Sequence, residues 1–302
     1  MNFKSIQPSG DLKKYIDSYW YLKIPKMTIR EILPSVNTSV CFHLSDKAGY
    51  KFITKDLIRE VSENNYDFAD CIMSDMFLLQ NAIIGPHRQI IMETSVNGIN
   101  TFGIEFKPCV LNSFMGISYD RLANNILSVS HTSCLIQQLH QIIDSCRTEE
   151  VFDVVDNYFV HEFLNSDYSA VYDEDLLIVI NRILEDPFFV KVRDIADMMN
   201  TCERNCNRIF KKFIGLSPKQ FLMVQRLAKI SDALKNNCEV SAVHLAEMFG
   251  YYDLAHLNHD FKFIGGYTAH DVIENMQNKI VNYREVLTDS NFSEKFCLID
   301  LV

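Results

Sequence analysis

The sequence predicts an α+β protein of two domains: a β-rich small barrel or sandwich with flanking helices, then an all-α domain of two helix–turn–helix units joined by a long helix. Three observations predict this order. Short β-type runs alternate with turn residues, apolar residues at helical spacing follow them, and one helical pattern occurs twice near the C-terminus. The 302 residues are enough for two domains with separate cores.

Four runs in the first region are typical of strands, and Pro and Gly residues separate them. They cover residues 39–44, 82–84, 89–92 and 101–106. Asn97-Gly98 lies between the last two runs, which predicts a β-hairpin there. Short strands at this spacing favour a small barrel or sandwich over a sheet of βαβ units.

Two amphipathic helices are predicted between residues 110 and 165. Their apolar stripes consist of Leu135, Leu139, Ile142 and Ile143, and of Val151, Val154, Val155, Tyr158 and Phe159. Each stripe packs either on the β-rich region or on a second subunit. A homodimer formed through helices near 135–163 is therefore one hypothesis.

The polar segment 165–169 predicts the boundary between the domains. We place a β-rich domain with C-terminal helices at 1–165, a helical domain at 172–280 and a tail at 281–302. A first helix from Asp175 to Leu184 opens the helical domain, and Asp186-Pro187 ends it.

The repeated pattern has a nearly constant offset. Phe210-Lys211 corresponds to Phe261-Lys262 and Gly215 to Gly266, each pair 51 residues apart, whereas Ala196 and Ala246 are 50 apart. The second copy therefore has one extra residue in its turn. Between the copies, Ser217 is the predicted N-cap and Pro218 the first residue of a long connecting helix.

The charge of the two copies differs in sign, although the whole chain carries −10. Residues 190–229 contain nine basic and three acidic residues, a balance of +6, whereas residues 230–278 contain two basic and seven acidic residues, a balance of −5. A basic face on a helix–turn–helix unit is typical of a surface that contacts phosphates.

In the first copy, the predicted recognition helix buries a stripe of Cys206, Ile209, Phe210 and Phe213. The predicted DNA contacts of this copy are Glu203, Arg204, Asn207, Arg208, Lys211, Lys212 and Lys219. Arginines four residues apart share one helix face, and each can bind a guanine edge through two hydrogen bonds. The lysines suit phosphate contacts.

In the second copy, the exposed positions are weaker candidates. Ala255 and His259 occupy the places of Arg204 and Arg208, and His256 lies beside them. His256 reaches a base edge or lies inside the domain, and Asp253 reads a base or caps the helix. The second unit therefore either contacts DNA weakly or has a mainly structural role.

Several classes of protein are disfavoured. No apolar run approaches the length of a membrane span, and no segment resembles an export signal. Nine scattered cysteines without a Cys-x-x-Cys pair suit a reducing cytoplasm and indicate no metal site. We find no glycine-rich phosphate loop and no catalytic motif, so we expect neither a cofactor nor an enzyme.

The residues 215–221 (GLSPKQF), with Arg226-Leu227-Ala228, and 250–257 (GYYDLAHL) with Phe261-Lys262 resemble the AraC/XylS family of bacterial transcription regulators. The resemblance covers about residues 175–278. It implies two helix–turn–helix units joined by a long helix, double-stranded DNA as the partner, and base-reading positions at 204, 208, 255 and 259.

The N-terminal half resembles, more loosely, an uncharacterised β-rich domain that precedes this DNA-binding domain in some family members. The resemblance rests on Pro34 with residues 41–44 and on residues 103–108. It implies a sensor or dimerisation module, with a small-molecule effector as a further partner. Candidates to line its pocket are Trp20, Tyr21, His43, His87, Arg88 and Glu105.

The sequence thus predicts a cytoplasmic, sequence-specific transcription regulator whose first unit dominates DNA contacts. The alternative is an interaction protein that kept the fold and lost DNA binding. The sequence names neither the effector nor the operator.

Overall fold

The computed structural model describes most of the two predicted domains. The described residues are 2–44, 46–54, 57, 74, 76–111, 116–129, 134–147, 150–164, 174–236, 240–265, 268 and 270. The predicted boundary at 165–169 and the tail at 281–302 lie outside them, so the domain limits stay predictions. Within the described part, no helix is both long and apolar enough to cross a membrane.

The first domain consists of two antiparallel sheets. Their strands are β1 (Asn2–Ile6), β2 (Ile16–Ile24), β3 (Thr28–Ile32), β4 (Thr38–His43), β5 (Ala48–Phe52), β6 (Phe77–Leu79), β7 (Asn81–Ile84), β8 (Ile91–Ser95), β9 (Ile99–Phe106) and β10 (Ile126–Ser128). The larger sheet has the order β1-β2-β9-β4-β7-β10 and the smaller one β3-β8-β5-β6. This agrees with the predicted small barrel or sandwich.

Successive side chains along a strand point to opposite faces of the sheet, and both faces of the larger sheet carry apolar residues. Tyr19 and Ile104, paired across β2 and β9, lie in a core shared with helices of the same domain. The next residue of β2, Trp20, points the other way and packs against a cluster that contains Cys41 and, from the smaller sheet, Tyr50. The second face therefore lines the space between the sheets.

The hairpin predicted at Asn97-Gly98 is wrong. β8 pairs with β3 and β5 in the smaller sheet, whereas β9 pairs with β2 and β4 in the larger one. The turn therefore carries the chain from one sheet to the other. Gly98 has a φ of 92°, and a Cβ there would lie 2.1 Å from the carbonyl oxygen of Ile24, so the corner requires glycine.

The described residues contain nine helices, besides a 3-10 turn at Gly10–Lys14, and the first of them lies between β9 and β10. They are α1 (Tyr119–Leu122), α2 (Cys134–Ser145), α3 (Val151–Leu164), α4 (Glu174–Glu185), α5 (Val192–Met198), α6 (Glu203–Phe213), α7 (Pro218–Asn236), α8 (Ala242–Met248) and α9 (Leu254–Gly265). The order of a β-rich domain followed by a helical domain is confirmed.

The apolar stripes of α2 and α3 pack on the larger sheet. Leu139, Ile143, Val155 and Phe159 are buried in the core that contains Tyr19. Packing within the chain therefore accounts for most of these stripes, whereas Val154 is 36% exposed and the side chain of Leu135 lies outside the described residues. The homodimer stays a prediction, which the mass in solution at several protein concentrations tests.

The long helix α7 begins as predicted. The backbone N–H of Gln220 donates to the hydroxyl of Ser217, and the Gln220 side-chain oxygen accepts from the backbone N–H of Ser217. This reciprocal pair is a capping box, with Pro218 in the first turn where its missing N–H costs nothing.

The two domains are in contact at the end of α6. A Cβ at Gly215, where φ is 82°, would lie 2.3 Å from the Cβ of Ala123 and 3.0 Å from the carbonyl oxygen of Tyr119. Val36 and Cys109 of the first domain also belong to the core around α4, α5 and α6. The β-rich domain therefore packs against the first helix–turn–helix unit.

Candidate nucleic-acid interface

The turns of the two helix–turn–helix units begin with the same backbone hydrogen bonds. The backbone N–H of Thr201 donates to Ala196 O at 2.9 Å, and that of Tyr251 donates to Ala246 O at 2.8 Å. The preceding residue has a positive φ in both units, 49° at Asn200 and 67° at Gly250. Four residues separate α5 from α6 and five separate α8 from α9, which confirms the extra turn residue.

Helix α6 has one buried face and one charged face. Cys206 and Phe210 are fully buried, and the Phe210 ring meets the Phe221 ring edge-on at 5.7 Å. Ile209 and Phe213 are half-buried on the same side. The predicted contact residues are exposed: Glu203, Arg204, Asn207, Arg208, Lys211, Lys212 and, at the start of α7, Lys219.

A short chain of hydrogen bonds holds the guanidinium of Arg208. Its Nε and Nη2 donate to the side-chain oxygen of Asn205 at 3.1 and 2.8 Å. The Asn205 amide in turn donates to the hydroxyl of Thr201 at 2.7 Å, in the turn of the unit. The sequence analysis missed both residues, although the spacings of three and four residues along the helix could have indicated them.

The lysines at the end of α6 have different surroundings. Lys211 Nζ lies 3.3 Å from the carbonyl oxygen of Gly215 and 3.4 Å from Oε1 of Gln220, so its ammonium is held against the loop that follows α6. Lys212 Nζ lies 4.8 Å from the centre of the Phe213 ring. Lys212 is therefore better placed than Lys211 to reach a phosphate.

At the corresponding positions, helix α9 presents side chains that attract DNA less strongly than arginine. Ala255, His256 and His259 are all exposed, so His256 is not an interior residue. Its ring meets that of Tyr251 at 5.1 Å, edge to face. Asp253 accepts from the backbone N–H of His256 at 2.7 Å, so Asp253 caps the helix.

One arginine of α7 joins the two units. Arg226 donates to the carbonyl oxygens of Pro187 at 3.0 Å and Val190 at 3.4 Å, and pairs with Asp260 of α9 at 3.4 Å. The Tyr251 hydroxyl also donates to Asp260, and burial together with that carboxylate raises the pKa of Tyr251. The segment between α4 and α5 is thus tied to the second recognition helix.

Three of the six residues predicted to line a pocket lie together. Trp20, His87 and Glu105 line one cavity at the end of the β-rich domain that faces α7. Both ring nitrogens of His87 lie within 3.0 Å of backbone carbonyl oxygens, and burial lowers the pKa of this histidine to about 4.

The other three lie elsewhere. His43 is buried with its ring nitrogens 2.7 Å from the hydroxyls of Thr101 and Tyr50, and burial lowers its pKa. Tyr21 packs in the core on the opposite face of the sheet. Arg88 is half-buried outside the cavity wall.

Two family models match the chain. The model described as "Helix-turn-helix domain" matches residues 195–275, and the model described as "Domain of unknown function (DUF6597)" matches residues 4–128. No curated protein sequence matches.

Solved structures of ToxT from Vibrio cholerae are similar to this chain. For ToxT of strain O395 bound to (E)-4-(8-methylnaphthalen-1-yl)but-3-enoic acid, the TM-score is 0.45 at 13% identity, covering 92% of this chain and 100% of that chain. For ToxT in the P21 crystal form, the TM-score is 0.43 at 12% identity, covering 90% of this chain and 98% of that chain.

The repeated units and the match over residues 195–275 define a DNA-binding protein of the helix–turn–helix class. Its C-terminal domain is of the AraC type, as the resemblance implied, and the protein is a DNA-binding transcription regulator.

Proposed function

We propose that this regulator binds a specific DNA sequence chiefly through its first helix–turn–helix unit. The observation that carries this proposal is the exposed basic face of α6, opposite its buried face of Cys206 and Phe210. Arg204 and Arg208 are the proposed base-reading residues, since an arginine recognises the O6 and N7 of guanine through two hydrogen bonds.

The two hydrogen bonds that Arg208 donates to Asn205 support this role for Arg208. A guanidinium that is already oriented loses less side-chain entropy when it binds a base. Lys212 and Lys219 supply phosphate contacts, which set affinity and its dependence on salt. Glu203 and Asn207 flank the arginines, and the Asn207 amide donates back to the Glu203 carbonyl oxygen at 2.9 Å.

The second unit adds a weaker contact in this proposal. Ala255 contacts a thymine methyl group, and His256 and His259 contact base edges or phosphates. The helix α7 and the contacts of Arg226 with Pro187, Val190 and Asp260, which we call the Arg226 joint, set the spacing of the two recognition helices. Two such helices fit successive major grooves, which lie ~34 Å apart on one side of the duplex.

The first domain senses an unidentified signal, and the protein acts in the cytoplasm. Contact between this domain and the end of α6 gives such a signal a physical route to the DNA-binding surface.

The second candidate function is a protein-interaction module without DNA binding. The acidic balance of residues 230–278 and the exposed ring of Tyr252, which keeps 93% of its accessible surface, favour it.

The two candidates are separated by anisotropy titration of the DNA upstream of the protein's own gene, at two salt concentrations. Arg204→Ala/Arg208→Ala should weaken binding at least tenfold, about 1.4 kcal/mol or more. Arg147→Ala/Arg182→Ala removes two exposed arginines elsewhere and should bind like the wild type. Wild-type protein that binds this DNA no better than random DNA would favour the interaction module.

A further inference from the structure

A cavity of about 390 Å³ lies between the open end of the two sheets and the helix α7. Its size falls within the range of small-molecule sites. One wall comes from strands of the first domain and the other from α7, with Leu184 of α4 beside it. A molecule bound here would therefore contact both domains.

The strand wall carries a pair of carboxyl groups. Glu105 of β9 and Asp17 of β2 both line the cavity, and the Ser39 hydroxyl donates to Glu105. Burial raises the pKa of Glu105 to about 7; the Ser39 hydrogen bond opposes the rise, and the charge of Asp17 adds to it. Burial also raises the pKa of Asp17, against the pull of Lys107. Two carboxyl groups of like charge favour a cationic or N–H partner.

The helix wall carries a hydroxyl without a partner. Ser231 of α7 lines the cavity, is only 2% exposed, and its Oγ makes no hydrogen bond. A buried polar atom without a partner costs free energy, which a ligand restores by bonding to it. Ser231 lines the same cavity as Glu105 but belongs to the other domain.

The apolar part of the cavity is built around Trp20. A Cβ at Gly103 would lie 2.0 Å from the Trp20 indole, so glycine lets the ring lie flat on β9. Arg30 lies 5.5 Å above the same ring, but its guanidinium forms a buried ion pair with Glu93. The charge of Arg30 is therefore already neutralised and does not call for an anionic ligand.

Lys107 and His87, which also line the cavity, do not call for an anionic ligand either. Lys107 acts on Asp17, and the low pKa of His87 keeps that ring neutral near pH 7. On α7, Lys229 and Asp232 both line the cavity, so this wall carries one basic and one acidic residue.

We propose that this cavity binds a small amphipathic amine, whose N–H groups donate to Glu105, whose apolar body packs on Trp20, and whose occupancy is read through Ser231 of α7. Because α7 joins the two helix–turn–helix units, binding here favours one arrangement of the first domain on the DNA-binding domain. Only this regulatory consequence rests on the proposed function; the binding itself does not.

The test uses the fluorescence of Trp20, the single tryptophan of the chain, in the full-length protein without DNA. The probes are phenethylamine, phenethyl alcohol and hydrocinnamate, which share an aromatic body and differ in charge. We expect phenethylamine to give a saturable change and to bind at least about tenfold more tightly than hydrocinnamate.

Two variants locate the site. Glu105→Gln should weaken phenethylamine binding about tenfold, and Ser231→Ala should weaken it by a smaller factor. Glu247→Gln, an exposed carboxylate on α8, is the matched control and should bind like the wild type. Circular dichroism of each variant checks that it is folded.

Three results would overturn the proposal: no saturable signal with phenethylamine, hydrocinnamate binding as tightly as the amine, or unchanged affinity in both Glu105→Gln and Ser231→Ala. Adding phenethylamine to the DNA titration then tests the regulatory consequence. Amine binding without any effect on DNA affinity would leave the site in place and remove the link to DNA.

Discussion

The two helix–turn–helix units are nearly identical in backbone and opposite in charge. Corresponding turn amides donate to Ala196 and Ala246 at distances that differ by 0.1 Å, from 2.9 to 2.8 Å. Their outer surfaces share almost nothing, because arginines at 204 and 208 correspond to alanine and histidine at 255 and 259. Buried and turn positions define the fold, whereas exposed positions are free to diverge and decide what each unit binds.

The comparison also separates two ways of using a charged residue. Arg208 is exposed and held by Asn205 on the outer face, ready for a partner outside the molecule. Arg226 has only 17% of its side chain exposed, and it contacts Pro187, Val190 and Asp260 within the domain. The same residue type therefore serves recognition in one place and the joint between units in the other.

The largest expected effect comes from removing the joint. Arg226→Ala leaves the carboxylate of Asp260, 8% exposed, without its cation, and should lower the free energy of unfolding by about 3 kcal/mol. Chemical denaturation of the full chain, followed by circular dichroism, measures this.

Adding Asp260→Asn to Arg226→Ala should recover part of the loss, because the unpaired charge is then removed. A change below about 0.5 kcal/mol for Arg226→Ala would mean that the joint does not hold the units together.

A second prediction concerns a variant whose second unit carries the arginines of the first. Ala255→Arg/His259→Arg places arginines at the positions that correspond to 204 and 208. If α9 lies on DNA, affinity should rise about tenfold and its salt dependence should steepen. The anisotropy titration measures both.

Asp153→Lys adds the same net charge on the exposed face of α3, in the first domain, and serves as the control. Equal effects of the two variants would mean that general charge, rather than contact by α9, produces the change. No effect of either would mean that the second unit stays away from DNA.

The smallest expected effect concerns the turns. Asn200 and Gly250 share a positive φ, so Asn200→Ala and Gly250→Ala should each cost about 1 kcal/mol of stability. A Cβ at 250 would be 3.9 Å from Phe189, an ordinary contact, so the backbone alone causes the loss there.

Asn200→Gly is the matched control, since glycine adopts this φ freely, and thermal unfolding should place it at or slightly above the wild type. Clearly different costs for the two alanine variants would show that the turns are not equivalent.

Much of the helical domain could be predicted from the sequence, because its signals are local. The apolar spacing of α6, the cap at Ser217 and the extra turn residue each depend on neighbours within a few positions. The exposure of Arg204 and Arg208 followed from the same periodicity.

Sheet pairing depends on contacts between distant segments, and there the sequence was less informative. Asn97-Gly98 has the composition of a hairpin turn, yet β8 and β9 belong to different sheets. The cavity depends on this tertiary arrangement too. Glu105 and Ser231 are 126 positions apart, and nothing local to either predicts that they line the same cavity.

The most direct test of the central claim is a hydroxyl-radical footprint on the operator found by titration, comparing three proteins. The wild type should protect two sites about one helical turn apart, one of them strongly. Arg204→Ala/Arg208→Ala should lose both sites, whereas His256→Ala/His259→Ala should lose only the weaker one. Loss of both sites in the histidine variant, with protection kept in the arginine variant, would contradict the dominance of the first unit.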